Sequence, residues 1–557
     1  MFPIWLPAAL LLAFAPITEA PARTAGHLEV LDDYPRRIGI DVERYRFELT
    51  LSDDSDRIAG RTTVTVRFSN NGVAELLLDL AGPDADGRGM SVTSVMIRDV
   101  AVPFTHEGDL LQIALPEAGR AGNRLDVVVG YAGEPASGLR IGPTKYGDRT
   151  FFSDNWPNRA RNWLPTIDHP YDKAESEMIV TAPSHYQVVS NGLLVEESDG
   201  LDGTRRTHWR NSAPIATWLY VLGVARFAVQ HVDDFEGRPI QTWVYAQDRD
   251  DGFYDFAVPT KAAMAFYSDY VGPYAYEKLA NITSPATGGG MEAASAIMYH
   301  ESSVTGERTE RWRNVIIHEV AHQWFGNAVT ESDWDDVWLS EGFATYFTLL
   351  FIEHAYGRDA FVAGLQSSAE RVFQQYANDP SYRIVHDDLN DMGRVTSGAT
   401  YQKGSWILHM LRNAMGDEAF QSGISAYYAR HMNGNATTED FRRAMEEASG
   451  LDLEPFFDQW LYSGGNPRLE GWWEYEASAR SLRVELEQTQ EVGPTFRLPL
   501  EIGLLFGDER TPSVVESVEV DGRFHRFVIP VSGPPSGVVL DPNTRLLFEA
   551  DFRRRGG

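Results

Sequence analysis

The sequence predicts a multidomain α+β protein with an N-terminal all-β domain, a mostly helical central domain and a small C-terminal β-sandwich. Three observations predict it. Short apolar/polar alternations separated by Gly, Asp and Asn fill the first part of the chain. From about Gln230 the apolar spacing lengthens to a helical period. Alternation then returns after the breaker cluster Ser463-Gly464-Gly465-Asn466-Pro467. A length of 557 residues suits about three domains by the usual prior, and 43% hydrophobic with 12% aromatic residues is enough for substantial cores.

Residues 1–22 read as a signal peptide. An apolar run around Ala8 to Ala15 precedes Ala20-Pro21-Ala22, small residues of the kind found at cleavage sites. The run is far shorter than the ~20 residues needed to span a bilayer, so the mature chain is expected to be secreted or periplasmic, with no integral membrane segment. Residues 23–228 read as the β domain, with alternating Thr63 to Phe68 and the continuous apolar piece Val127 to Val129. Residues 229–462 form the helical domain, beginning with the period over Ala262 to Tyr270. Residues 463–557 alternate at Phe496, Leu498, Leu500 and Ile502, and Asp521-Gly522 reads as a hairpin turn.

A net charge of −31 disfavours nucleic acid and anionic membrane surfaces as partners. Without cysteine there is no disulfide, thiol nucleophile or lipid-modified cysteine.

The chemistry concentrates at His318-Glu319-Val320-Ala321-His322, within a predicted helix from Arg311 to Phe325 that stops at Gly326-Asn327. Imidazoles at i and i+4 project from one helical face and can grip one ion. A second helix, with Ser340 as its N-cap, carries Glu341 as a third ligand. Three protein ligands leave one tetrahedral position open, the mark of a catalytic Zn2+, one per chain. Glu319, beside a ligand, is placed to take a proton from water. Asp335 and Asp336, between the two helices, are either loop acids facing solvent or the group that orients a ligand imidazole.

The stretch HEVAHQWFGNAVTESDWDDVWLSEGFATYF, His318 to Phe347, resembles the zinc core of the alanyl aminopeptidase family, gluzincin exopeptidases that include leukotriene hydrolase. The resemblance runs from about Phe151 to Pro467 and implies a thermolysin-like zinc catalytic domain. GGGMEAASAIMY, Gly288 to Tyr299, is similar to the family's Gly-x-Met-Glu-Asn motif, which implies that Glu292 binds the substrate amino terminus among Gly289, Gly290 and Met291. TYQKGSWILHML, from Thr400, is similar to the segment whose tyrosine polarises the scissile carbonyl, which implies Tyr401. Two positions depart from the pattern: Ala293 stands where Asn is usual, and Trp156 aligns with a Gln or Glu of the first domain, with Asp154 nearby as a substitute amine anchor. The resemblance implies a zinc aminopeptidase acting on peptides with a free N-terminal amine. The alternatives are a zinc endopeptidase or epoxide hydrolase on the same scaffold, and a catalytically inactive secreted binding protein.

Overall fold

A computed structural model describes residues 32–389 and 391–556. The expected leader, residues 1–22, lies outside them. The N-terminal region is built on an eight-stranded sheet ordered Leu193–Asp199, Thr204–Ile215, Ala174–Pro183, Ile40–Thr50, Ile58–Phe68, Arg124–Glu134, Gly89–Ile97 and Val100–Ala101. Ile40–Thr50 pairs parallel with Ala174–Pro183 and antiparallel with Ile58–Phe68. In Ile58–Phe68 the buried positions are Ile58, Thr62, Val64, Val66 and Phe68, a period of two that sets one face on the core. Each fully buried aliphatic side chain there contributes about 1.5–3 kcal/mol. Smaller four- and three-stranded sheets complete this all-β region.

The central region begins differently from the helical expectation. Residues 227–300 first form a five-stranded sheet ordered Phe227–Phe235, Arg238–Tyr245, Leu279–Ser284, Ala296–His300 and Gly290–Met291. Its inner strands are parallel, and all six residues of Leu279–Ser284 are buried. A strand covered on both faces shows no alternation, so its short apolar run is indistinguishable from buried helix by pattern alone.

The helices are α1 (Arg249–Phe256), α2 (Thr260–Tyr270), α3 (Glu310–His322), α4 (Trp338–Tyr356), α5 (Arg358–Asn378), α6 (Gly398–Met415), α7 (Asp417–His431), α8 (Thr438–Ser449) and α9 (Glu454–Trp460). α4 is apolar on nearly every face and lies at the centre, packed against α3, α5 and α6. α4 and α6 cross where two glycines meet: a Cβ on Gly342 would lie 3.0 Å from the Gly404 Cα. That close approach sets Tyr401, less than one turn before Gly404, over Glu341. No helix among the described residues is long and apolar enough to cross a membrane.

Beyond α9, two sheets form a sandwich: Phe524–Pro530, Ser481–Gln488, Arg468–Glu476 and Glu549–Arg554 in one, Val514–Val520, Leu498–Leu505 and Gly537–Leu540 in the other. Phe496, Leu498, Leu500 and Ile502 are fully buried. The Asp521-Gly522 turn is not a hairpin within one sheet, because the strands on either side pair in different sheets. Both its amides donate to His525 Nε2, at 3.2 and 2.8 Å, and the chain crosses the sandwich there.

The β region is tied to the central one by direct polar contacts. Lys173 Nζ donates to the carbonyls of Asn327, Ala328 and Gly434, each at 3.0 Å. The Arg36 guanidinium pairs with Asp333.

Candidate active site

α3 starts at Glu310 and ends at His322, with the chain reversing through Gly326 at φ +100°. His318 and His322 sit one turn apart, and their Nε2 atoms are 3.1 Å from each other. Glu341 Oε2, from the first turn of α4, is 3.4 Å from His318 Nε2 and 3.2 Å from His322 Nε2. Three donor atoms converge on one point with edges of 3.1–3.4 Å. A tetrahedral ion with ligands about 2.0–2.1 Å away has edges of about 3.3–3.4 Å, so the donor set fits zinc. The Glu341 Oε2 atom has no hydrogen-bond donor of its own, which a cation would remedy.

Charge around His322 makes the same case. Burial alone would lower its pKa, yet the carboxylates of Glu292 and Glu341 outweigh burial and hold the imidazole up at about 10. Glu341 is driven well below the usual carboxylate range: burial opposes this, and the two imidazoles overcome it. Burial, with Glu292 beside it, pushes Glu319 well above its ordinary value. Burial likewise pushes Glu292 up to about 7. Three buried carboxyl groups and two imidazoles crowded in this way compete for protons, and a divalent cation would relieve that crowding.

His322 is oriented through its other nitrogen. Nδ1 lies 3.1 Å from the Phe325 carbonyl and 3.1 Å from Ser340 Oγ. The sequence pattern puts Ser340 at the N-cap of the second helix and offers Asp335 or Asp336 for the orienting role. Both assignments change. α4 begins at Trp338, directly after the 3₁₀ turn Trp334–Asp336, so Ser340 falls inside it and faces back to His322. Asp335 and Asp336 are neither solvent-facing nor on an imidazole: both are buried, and Asp336 accepts from the Thr438 hydroxyl.

The expected substrate side is an edge strand. Gly290–Met291 pairs with Tyr299 and Met298, and Glu292 follows it, 6% exposed. One oxygen of Glu292, one of Glu319 and a nitrogen of His322 all lie within 4.8 Å of one another. The Glu292 backbone is clamped: its carbonyl accepts from Gln323 Nε2 at 2.9 Å and Asn327 Nδ2 at 2.6 Å. Gln323 Oε1 also accepts the Ser295 amide at 2.8 Å. Sequence reasoning misses these two carboxamides, although both stand in HQWFGN, which starts at the second histidine.

Gly290 has a steric role as well. A Cβ there would overlap the Glu319 carboxyl group, so the absence of a side chain is what gives that carboxylate its position. Gly289 is held by its carbonyl, which accepts the His300 amide at 2.7 Å, and Met291 is buried. The Tyr401 hydroxyl donates to Glu341 Oε1 at 2.7 Å. Asp154 is near enough to raise Glu292, but its carboxylate lies 2.6 Å from Arg159 NH2, so a substrate amine there would compete with a guanidinium. Trp156 packs edge-on between Trp218 and Trp334, at ring separations of 4.8 and 5.2 Å. Ala293 is fully buried.

Fold and site together define a metallopeptidase scaffold with a HExxH helix and a distal glutamate. The peptidase M1 N-terminal domain matches residues 42–219, and the peptidase family M1 domain matches residues 254–460. This chain belongs to the M1 peptidase family. Human glutamyl aminopeptidase is 32% identical over 332 residues, which is 57% of this chain and 34% of that protein. Aminopeptidase M1-A of Oryza sativa subsp. japonica is 27% identical over 345 residues, covering 60% of this chain and 38% of that protein. The chain thus spans about a third of the length of these relatives. Among solved structures, an M1 zinc metallopeptidase from Deinococcus radiodurans superposes with a TM-score of 0.66 at 24% identity, over 76% of this chain and 94% of that one. A mutant of that metallopeptidase bound to a Tyr-Ser-Ala substrate superposes with a TM-score of 0.65 at 26% identity, with the same coverage.

Proposed function

We propose that this chain is a zinc-dependent aminopeptidase that removes single residues from the free N-terminus of peptides. The observation that carries the reading is the convergence of three donor atoms of His318, His322 and Glu341 beside two further buried carboxylates, Glu319 and Glu292. The relatives named as aminopeptidases and the family membership support it.

His318, His322 and Glu341 would hold the metal, which would supply a Lewis acid able to make water ionise near neutral pH. Glu319 accepts the proton of the attacking water and passes it to the departing amine. Its raised affinity for protons in a dehydrated pocket suits both halves of that task. Glu292 pairs with the substrate ammonium, and its clamped backbone fixes the distance from that ammonium to the first peptide carbonyl. Register of this kind limits cleavage to one residue. The Tyr401 hydroxyl, held by Glu341 Oε1, is the donor for the developing oxyanion.

The test compares alanyl or leucyl p-nitroanilide with its N-acetylated form, with and without a chelator. Acetylation removes the charge that Glu292 pairs with, so the free amine should be preferred by roughly ten- to hundredfold. Equal turnover of the two substrates sinks the exopeptidase assignment. A protein that holds no metal after native purification favours the inactive binding protein. We also propose export through the leader at residues 1–22.

A further inference from the structure

The zinc helix has a second enclosed space at its other end. A cavity of about 190 Å³ opens beside the start of α3, with Trp312 and Ile316 as its floor. Trp312 is roughly 9 Å along the helix axis from His318, and Ile316, two residues before that histidine, projects about 200° away around the axis, so the cavity lies on the face of α3 opposite the histidines. Both floor residues are buried, whereas Val258 and Tyr356 on the rim are 49% and 45% exposed. Exposed apolar groups around a hollow are a feature of ligand sites.

The polar lining holds two guanidiniums, of which Arg308 is exposed, one carboxylate, and two hydroxyls without partners. The Arg308 guanidinium lies 3.8 Å from the centre of the Tyr254 ring, its Nε donates to the Tyr254 carbonyl at 2.8 Å, and it has no carboxylate partner among the described residues. Arg313 also lines the space, stacked 4.2 Å from the centre of the Tyr356 ring and sharing Glu310 at 3.2 Å. Asp255 brings a carboxylate to the same lining, and both its oxygens are already engaged by neutral donors of the protein. Its Oδ2 accepts from the Thr305 amide, the Thr305 hydroxyl and the Gly306 amide at 2.6–3.1 Å, and its Oδ1 accepts the Arg308 amide at 2.7 Å. Ser303 is 2% exposed and its hydroxyl has no partner; the Thr309 hydroxyl has none either. Thr309 is the N-cap of α3 yet makes no side-chain capping bond, which leaves the first amides of a 13-residue helix open. A buried hydroxyl without a partner is costly, and here it faces the same space as an unpaired guanidinium and a helix N-terminus.

We propose that this cavity binds a small monocarboxylate carrying one aromatic ring or branched aliphatic chain. The apolar body lies on Trp312 and Ile316, and the carboxylate meets Arg308, Ser303 and the start of α3. A cavity of about 150 Å³ accommodates benzene, so this one has room for a ring and a short acid tail. With Arg313 already paired to Glu310 and Asp255 in the same lining, the Arg308 guanidinium favours a single negative charge over a phosphate dianion. The inference stands on its own, whatever the zinc site cleaves.

The probe is 3-phenylpropionate, titrated calorimetrically into the zinc-loaded full chain, with 3-phenylpropionamide as its uncharged counterpart. The acid is expected to bind one site without competing with an aminoacyl substrate, and the amide to bind at least about tenfold more weakly. Arg308→Asn suits the left-handed backbone at that residue, φ +50°, and is expected to weaken acid binding about tenfold or more with zinc content and kcat unchanged. Ser303→Ala provides a second variant with a smaller loss in the same direction. Equal binding of acid and amide overturns the proposal. So do wild-type affinity in Arg308→Asn, competition with substrate, which moves the acid to the metal, and the absence of saturable binding.

Discussion

Replacing Gly290 with alanine separates the position of Glu319, the proposed base, from everything else in the site. A Cβ at residue 290 would lie 2.5 Å from Glu319 Cγ and nearer still to its carboxyl group, where ordinary contact is 3.4 Å or more. The side chain must therefore retreat by about 1 Å, and a misplacement of that size in a reacting group costs on the order of 10²-fold in rate. The fold should tolerate the change. Gly290 has no positive φ, the three atoms nearest an added Cβ all belong to the outer part of the Glu319 side chain, and Gly→Ala at a compatible position shifts stability by about 1 kcal/mol or less. The expected result with leucyl p-nitroanilide is kcat lowered about 10²-fold, zinc content by elemental analysis still one per chain, and Tm within about 2 °C of the parent. Full kcat in a zinc-loaded Gly290→Ala protein would refute both the steric reading of Gly290 and the assignment of Glu319 as base.

Tyr401→Phe should lower kcat by about 10²–10³ with KM and zinc content little changed, as loss of one oxyanion donor does; steady-state kinetics beside metal analysis checks it. Ser340→Ala should weaken zinc binding by less than about tenfold, since the Phe325 carbonyl still orients His322; competition with a chelator of known affinity measures this. Lys403 is buried and its pKa is pushed down to about 7, whereas the unfolded value is about 10.4. Between those values the unfolded chain holds one more proton, so this residue makes stability rise with pH by about 1.4 kcal/mol per unit. The stability difference between parent and Lys403→Met should therefore grow in the parent's favour from about pH 7.5 to 9.5 in urea unfolding, and a flat difference contradicts it. Mass spectrometry of protein exported by the native host should find the N-terminus after Ala20 or Ala22.

What the sequence disclosed of the site was whatever repeats within one helix or sits at its edge. His318 and His322 follow from the 3.6-residue turn, and Glu341 from a second helix nearby. Ser340 escapes such reasoning because the turn Trp334–Asp336 runs almost straight into α4, which moves the first helical residue back from Glu341 to Trp338 and points the hydroxyl at an imidazole. Gly290 was legible only as a neighbour of Glu292; its steric role toward Glu319 was not, since that role is the space it leaves for a residue on another element. The sheet at 227–300 hid for a related reason: strands buried on both faces lose the alternation that identifies them. The β domain and the sandwich kept that alternation, and their strands were correspondingly plain.

The ammonium of Lys173 bears on modularity. It comes from the β region and satisfies the carbonyls of two residues just past the zinc helix and of one beyond α7. A fragment beginning at residue 229 would keep every proposed metal ligand yet lose the ammonium that bridges those three carbonyls, leaving Asn327 with the Thr330 hydroxyl and Ala328 with the Asn433 amide. The protein's parts are thus not freely interchangeable cassettes: a graft of this central region onto another partner domain loses this bridge unless that domain brings a donor to the same spot.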